Sequence, residues 1–197
     1  MARGALIHTI AEQYIKGVLP AKIPPELKAF AADFKELRAM YKKIAYSMVV
    51  EDNWAFTKGW DETAWNDWVG CWVRIKLDCA FHFDGTTLRV RDWKTGKFRE
   101  EKNEEYLEQL ELYALSALLL HEHIQEVRPD LVYLDVGVVY PPADAPLVYT
   151  RADIPRLKKL WEKRVKPMLT DTVFAPRPNN LCKWCHFRKD NGGPCQY

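Results

Sequence analysis

Asp92 and Lys94 lie two residues apart near the end of an extended run, Val90-Arg91-Asp92-Trp93-Lys94-Thr95-Gly96-Lys97. Strand alternation sends both side chains to one sheet face and Trp93 to the other. A carboxylate beside an ammonium suits a hydrolytic metal site. The carboxylate holds a hard cation, and the ammonium orients a water or neutralises charge on a phosphate. Taken alone, the pair reads more readily as an ordinary surface ion pair. A second acid, Asp78, precedes it in Arg74-Ile75-Lys76-Leu77-Asp78, and Asp84-Gly85 between the two runs predicts a tight hairpin. The register of that hairpin decides whether Asp78 faces Asp92. Two carboxylates there bind Mg2+ or Mn2+, and an imidazole from His8 tilts the preference toward manganese.

These side chains need elements to hold them. Residues 3 to 17 read as a helix with Leu6, Ile7, Ile10, Tyr14 and Ile15 on its apolar side, so His8 and Glu12 share a face. Glu12 is either a partner of His8 or solvent-facing. Pro24-Pro25 opens a second helix, apolar at Leu27, Phe30, Ala31, Phe34, Leu37, Met40 and Tyr41. An extended pattern from Tyr46 toward Phe56 predicts a first strand, in which Glu51 reads as a salt-bridge partner ahead of a further acidic ligand. Residues 71–83 and 86–93 form the hairpin strands. Asn103 caps a helix from 104 to about 123 that turns Tyr106, Leu110, Tyr113, Ala114, Ala117 and Leu118 inward. Residues 131–140 are apolar enough for one buried strand ended by Pro141-Pro142, and the crossover helix before it predicts parallel pairing. Thr150 with Asp153 approximates a capping box for a last helix reaching about residue 169. Little regular structure is expected beyond Pro176.

This order predicts an α/β fold: a mixed central β-sheet flanked by helices over residues 1–175, and an irregular cysteine-containing tail, 176–197, packed on the same domain. The chain of 197 residues is long enough for a sizeable core. A formal charge of +2 excludes a global basic field, so nucleic-acid contacts must come from a local patch, with Lys97, Arg99 and Lys102 as candidates. The eight tryptophans read as core and loop anchors. No apolar run approaches membrane-spanning length and no signal-type segment opens the chain, which reads as soluble and cytoplasmic, without membrane contact.

With these residues assembled, the sequence resembles the PD-(D/E)XK nuclease superfamily, and within it the RecB-like and phage-type exonuclease branch. Gly4-x3-His8-x3-Glu12 is similar to the opening helix motif, Lys76-x-Asp78 to the first acidic strand, Asp92-Trp93-Lys94 to the signature, and Gln109-x3-Tyr113 to the following helix motif. The resemblance implies a restriction-endonuclease-like core. It implies His8, Asp78, Asp92 and the main-chain carbonyl of Trp93 as ligands of Mg2+ or Mn2+, Lys94 positioning the attacking water, and Gln109 and Tyr113 steadying the site or a DNA phosphate. The activity implied is metal-dependent hydrolysis of DNA, as an exonuclease, in recombination, repair or phage DNA processing. Partners would be DNA and a recombination or single-strand-binding protein; the oligomeric state is open. The competing reading is a non-catalytic DNA-binding or assembly module that retains the fold.

Cys182, Cys185 and Cys195 crowd the last sixteen residues. They resemble the C-terminal cysteine set that some RecB-like nucleases use for a 4Fe-4S cluster, whose fourth thiolate comes from upstream of the nuclease motifs. No cysteine precedes Cys71 here, so a cluster requires a fourth thiolate from a missing N-terminal segment. Zn2+ on the three cysteines with His186, and free thiols, are the alternatives. Cys71 and Cys79 read as small buried residues.

Overall fold

A computed structural model of the chain describes residues 3–44, 48–98 and 103–196. Tyr46, Ser47, Arg99, Lys102 and the Asn103 side chain lie outside the described residues. The elements are α1 (Arg3–Ile15), a 3-10 segment (Pro25–Phe30), α2 (Ala31–Ile44), β1 (Met48–Thr57), β2 (Cys71–His82), β3 (Thr87–Lys94), α3 (Asn103–Leu120), β4 (Glu126–Tyr133), β5 (Val138–Tyr140), β6 (Tyr149–Thr150) and α4 (Ile154–Thr170). Two compact units divide the chain, Met1–Trp161 and Glu162–Tyr197.

The first unit is built on one mixed sheet in the order β1-β2-β3-β4-β5, with β6 also paired to β4. β1–β2 and β2–β3 are antiparallel, while α3 carries the chain across so that β4 joins β3 in parallel. Leu110, Ala114, Ala117 and Leu118 of α3 are fully buried on one face against Leu88 and Val90 of β3. Ile7, Ala11 and Tyr14 of α1, with Phe34 and Leu37 of α2, cover the other face against Cys79, Phe81, Trp93 and Val132. This is a restriction-endonuclease-like α/β architecture.

Three local expectations are corrected. Residues 131–140 are not one strand: β4 starts earlier and a turn at 134–137 reverses the chain into β5, with Gly137 at φ 70°, a conformation that side chains with a Cβ resist. The apolar reading ran through this turn because Leu134 is buried. The β2–β3 connection is a longer loop, 83–86, in which the Asp84 carboxylate accepts the Thr86 and Thr87 amides at 2.9 and 2.7 Å, so an Asx-type loop replaces the two-residue turn. Leu6 is 49 % exposed, and Ala11 takes the inward place on α1.

One irregularity matters more than these. Met48 and Val50 of β1 pack toward α1, yet Trp54 and Phe56, an even number of residues later, pack toward α3. β2 does the same: Ile75 and Leu77 face α3, whereas Cys79 and Phe81 face α1. Strict alternation forbids this, so the pleat reverses between them. In β1 the reversal falls at Glu51, a non-glycine residue held at φ 52°. In β2 it falls at Asp78.

The second unit holds the end of α4 and a tail with 3-10 turns at Cys182–Trp184 and Lys189–Asn191. Cys185 N–H donates to the Cys182 carbonyl at 3.0 Å, Asn179 N–H points at Cys182 Sγ at 3.3 Å, and Arg188 bridges to Cys195.

Candidate active site

The last ladder pair between β2 and β3 is Cys79 with Arg91, so one further step of the same register sets Asp78 opposite Asp92. Beyond that point the ladder stops, and the Asp78 carboxylate replaces a strand-to-strand bond: its Oδ2 accepts the Trp93 amide at 2.6 Å. The splayed strands leave the two acids side by side, 8 % and 3 % exposed. Burial raises the Asp92 carboxyl to about 6, and the charge of Asp78 pushes in the same direction.

α1 delivers the imidazole. Gly4 passes close to β3, where a Cβ would lie 3.3 Å from Thr95 Oγ1, and the Arg3 guanidinium grips Asp135 with two bonds of 2.7 and 2.8 Å. One turn later His8 projects over the strand ends. Its Nδ1 is 3.1 Å from Glu51 Oε1 and 3.2 Å from Asp78 Oδ1, and its Nε2 is 2.9 Å from the Trp93 carbonyl. Trp93, buried on this side, meets the imidazole edge-on at 5.9 Å. Burial pulls the His8 imidazole down, but bonds to Asp78 and Glu51 outweigh it and raise the group to about 10. The imidazolium thus stands as the cation among three oxygen acceptors.

On the α3 side, Lys94 Nζ lies 2.7 Å from Asp92 Oδ2 and donates to Gln109 Oε1 at 2.9 Å, with the Tyr106 ring centroid 4.3 Å away. The Gln109 amide then donates to the Tyr113 hydroxyl at 2.5 Å. That hydroxyl lies 2.8 Å from the Lys76 carbonyl and 3.3 Å from Asp92 Oδ1, so its single hydrogen serves one acceptor at a time. Gln109 and Tyr113, one helical turn apart, brace Lys94 and Asp92 from the same face of α3.

His8, Asp78, Asp92, Trp93, Lys94, Gln109 and Tyr113 therefore meet at one end of the sheet. Glu12 does not join them and instead pairs with Lys16 at 2.6 Å. Glu51 does join them. Its sequence signal is the polar interruption Glu51-Asp52-Asn53 inside an otherwise apolar strand, where alternation alone favoured a salt bridge. Among the described residues, His8, Glu51 and Asp78 are the group of side chains whose donor atoms, all within 4.8 Å of one another, fit a metal ion. Carboxylate oxygens with one imidazole and a nearby carbonyl make a hard, mixed O/N donor set that suits Mg2+ or Mn2+. The tail cysteines do not form such a group among the described residues; all three are half-buried free thiols.

No helix of the described residues is long and apolar enough to cross a membrane. Comparison with curated proteins returned no match. Among solved structures, the chain is similar to the crystal structure of SSO0001 at 12 % identity and a TM-score of 0.35, over 92 % of this chain and 94 % of that one. The sequence model of the PD-(D/E)XK nuclease superfamily matches residues 1–189. With nearly its whole length inside that match and a mixed sheet that brings an Asp-x-Lys strand to an acidic neighbour, the chain belongs to the PD-(D/E)XK nuclease superfamily.

Proposed function

We propose that this protein is a divalent-metal-dependent deoxyribonuclease of the RecB-like, phage-type branch, acting as an exonuclease in DNA recombination, repair or phage DNA processing. The observation that carries the reading is the convergence of Asp78 and Asp92 at the splayed strand ends with Lys94 held between Asp92 and Gln109. Retention of both acids and the lysine favours catalysis over a purely binding role.

His8, Asp78, Asp92 and the Trp93 carbonyl would hold the cation, with Glu51 as an added carboxylate. When bound, a divalent cation supplies Lewis-acid stabilisation of charge on the phosphoryl oxygens and acidifies water. The remaining work falls to the chain. Lys94 orients the attacking water toward phosphorus and offsets negative charge as it develops. Gln109 fixes the ammonium through its carbonyl oxygen, and Tyr113 holds Asp92 in place. His8 must give up its proton to become a ligand, since only a neutral imidazole nitrogen has a lone pair to donate.

Cys182, Cys185 and Cys195 are proposed as three thiolates of a 4Fe-4S site completed by a fourth ligand, with the Asn179 amide on Cys182 Sγ as the kind of bond that stabilises a bound thiolate. Visible absorption after anaerobic purification tests this; a colourless, iron-free protein that still cuts DNA removes the cluster from the account.

The function is tested with end-labelled linear, circular, single-stranded and double-stranded DNA in Mg2+ or Mn2+. Degradation of linear DNA with circular DNA spared is expected. Cleavage of circles assigns an endonuclease instead, and equal activity of wild type and Asp92→Ala overturns the site.

A further inference from the structure

Charge is distributed unevenly along this near-neutral chain. Residues 151–197 carry eleven lysines and arginines against four acids, so the first 150 residues are net acidic. The excess concentrates on α4, Ile154–Thr170, which has six basic residues and one acid, Glu162. Arg156, Lys159, Lys163 and Lys166 recur at spacings of three, four and three, and all four are exposed. That spacing draws one stripe along the helix, about 15 Å long at 1.5 Å per residue.

The opposite face of α4 is anchored over residues 154–161. Leu157 is fully buried, and Ile154 and Trp161 pack on the same core cluster. Over that half the apolar side is committed to the fold and unavailable to a bilayer, which a basic amphipathic helix would need to lie in a membrane surface; in the last turn Met168 and Leu169 are exposed. Like charges three and four residues apart also weaken a helix. Helix stability gives no reason for such a stripe, whereas a polyanion does.

We propose that this stripe is a docking surface for the phosphate backbone of the DNA substrate, in addition to the catalytic cluster. One strand presents a phosphate about every 3.4 Å along its axis, so the stripe spans several consecutive phosphates. The surface reads no sequence, because lysines bind phosphates as point charges. The inference rests on the nuclease reading for its choice of polyanion.

The test measures binding of a labelled oligonucleotide to the metal-free protein across a salt series. It compares wild type, K159Q/K163Q/K166Q, and a control K35Q/K42Q/K43Q that removes the same charge from exposed positions on α2. The α4 variant is expected to bind at least about tenfold more weakly and to lose about 2 from the salt slope on single strands or about 3 on duplex, the control far less. Its Mn2+-dependent hydrolysis of bis(p-nitrophenyl) phosphate should match wild type. Unchanged binding, equal loss in both variants, or loss of anionic-vesicle binding with DNA binding intact overturns the proposal. If wild type hydrolyses no phosphodiester while the α4 effect stands, the nuclease reading fails and the docking surface survives.

Discussion

At the scale of single residues, the carboxylate of Glu51 is held where a non-glycine side chain resists the backbone. Its φ of 52° costs about 1–2 kcal/mol for an L-residue, and strain of this kind persists where surrounding structure enforces it. Glu51→Gly and Glu51→Ala both remove the carboxylate, but only glycine relieves the backbone. We expect Glu51→Gly to be more stable than Glu51→Ala by about 1 kcal/mol in urea denaturation, and both to bind Mn2+ more weakly. Equal stability would show that the conformation carries no strain. His8 offers a second handle. Its raised value, about 10, means that the imidazolium stabilises the metal-free fold fully below its ordinary 6.5, a contribution lost as pH rises through 10. A cation that takes the imidazole must displace that proton. Mn2+ affinity should therefore rise with pH between about 7 and 9, with close to one proton released per ion by calorimetry in two buffers, and His8→Asn should abolish the release. A pH-independent affinity would remove His8 from the ligand set. Asp78, Asp92 and Lys94 stood out by residue type and strand spacing, while Gln109 and Tyr113 stood out only through the family resemblance; the structure brings all five together. The place of Glu51 was not, because it depends on a pleat reversal that alternation assumes away.

At the scale of elements, long periodic segments declared themselves. α3 and the β2–β3 pair appear as read, and the crossover through α3 gives the expected parallel β3–β4 ladder. The break between β4 and β5 was hidden because Leu134 and the flanking strand residues are apolar, although Gly137 takes a positive φ in the turn. The Thr150–Asp153 capping box forms on a 3-10 turn, Arg151–Asp153, that leads directly into α4: the Thr150 amide donates to Asp153 Oδ2 at 2.9 Å, and that bond holds the Asp153 carboxyl below its usual range. Asp153→Ala should cost about 1 kcal/mol at neutral pH, read as a lower urea midpoint with an unchanged m-value. The difference from wild type should shrink below pH 3.8, because stability from a depressed carboxyl is lost as it protonates. An unchanged midpoint at neutral pH would mean that the cap contributes nothing measurable.

At the scale of the whole molecule, two helical layers close on opposite faces of one sheet, and the candidate site forms where that sheet opens. α1 brings His8 from one side and α3 brings Gln109 and Tyr113 from the other, so neither layer alone completes it. Net charge close to zero concealed an acidic majority of the chain and a basic end, a division visible only when charge is counted by segment. The central claim is that the pair of buried Asp92 and half-buried Lys94 performs phosphodiester hydrolysis. It is tested most directly by single-turnover cleavage of a labelled linear DNA with saturating Mn2+, comparing wild type with Asp92→Asn at matched DNA occupancy. The account predicts metal-dependent cleavage by wild type and a loss of at least about 100-fold in the variant; equal single-turnover rates, or no cleavage by metal-loaded wild type, would contradict it.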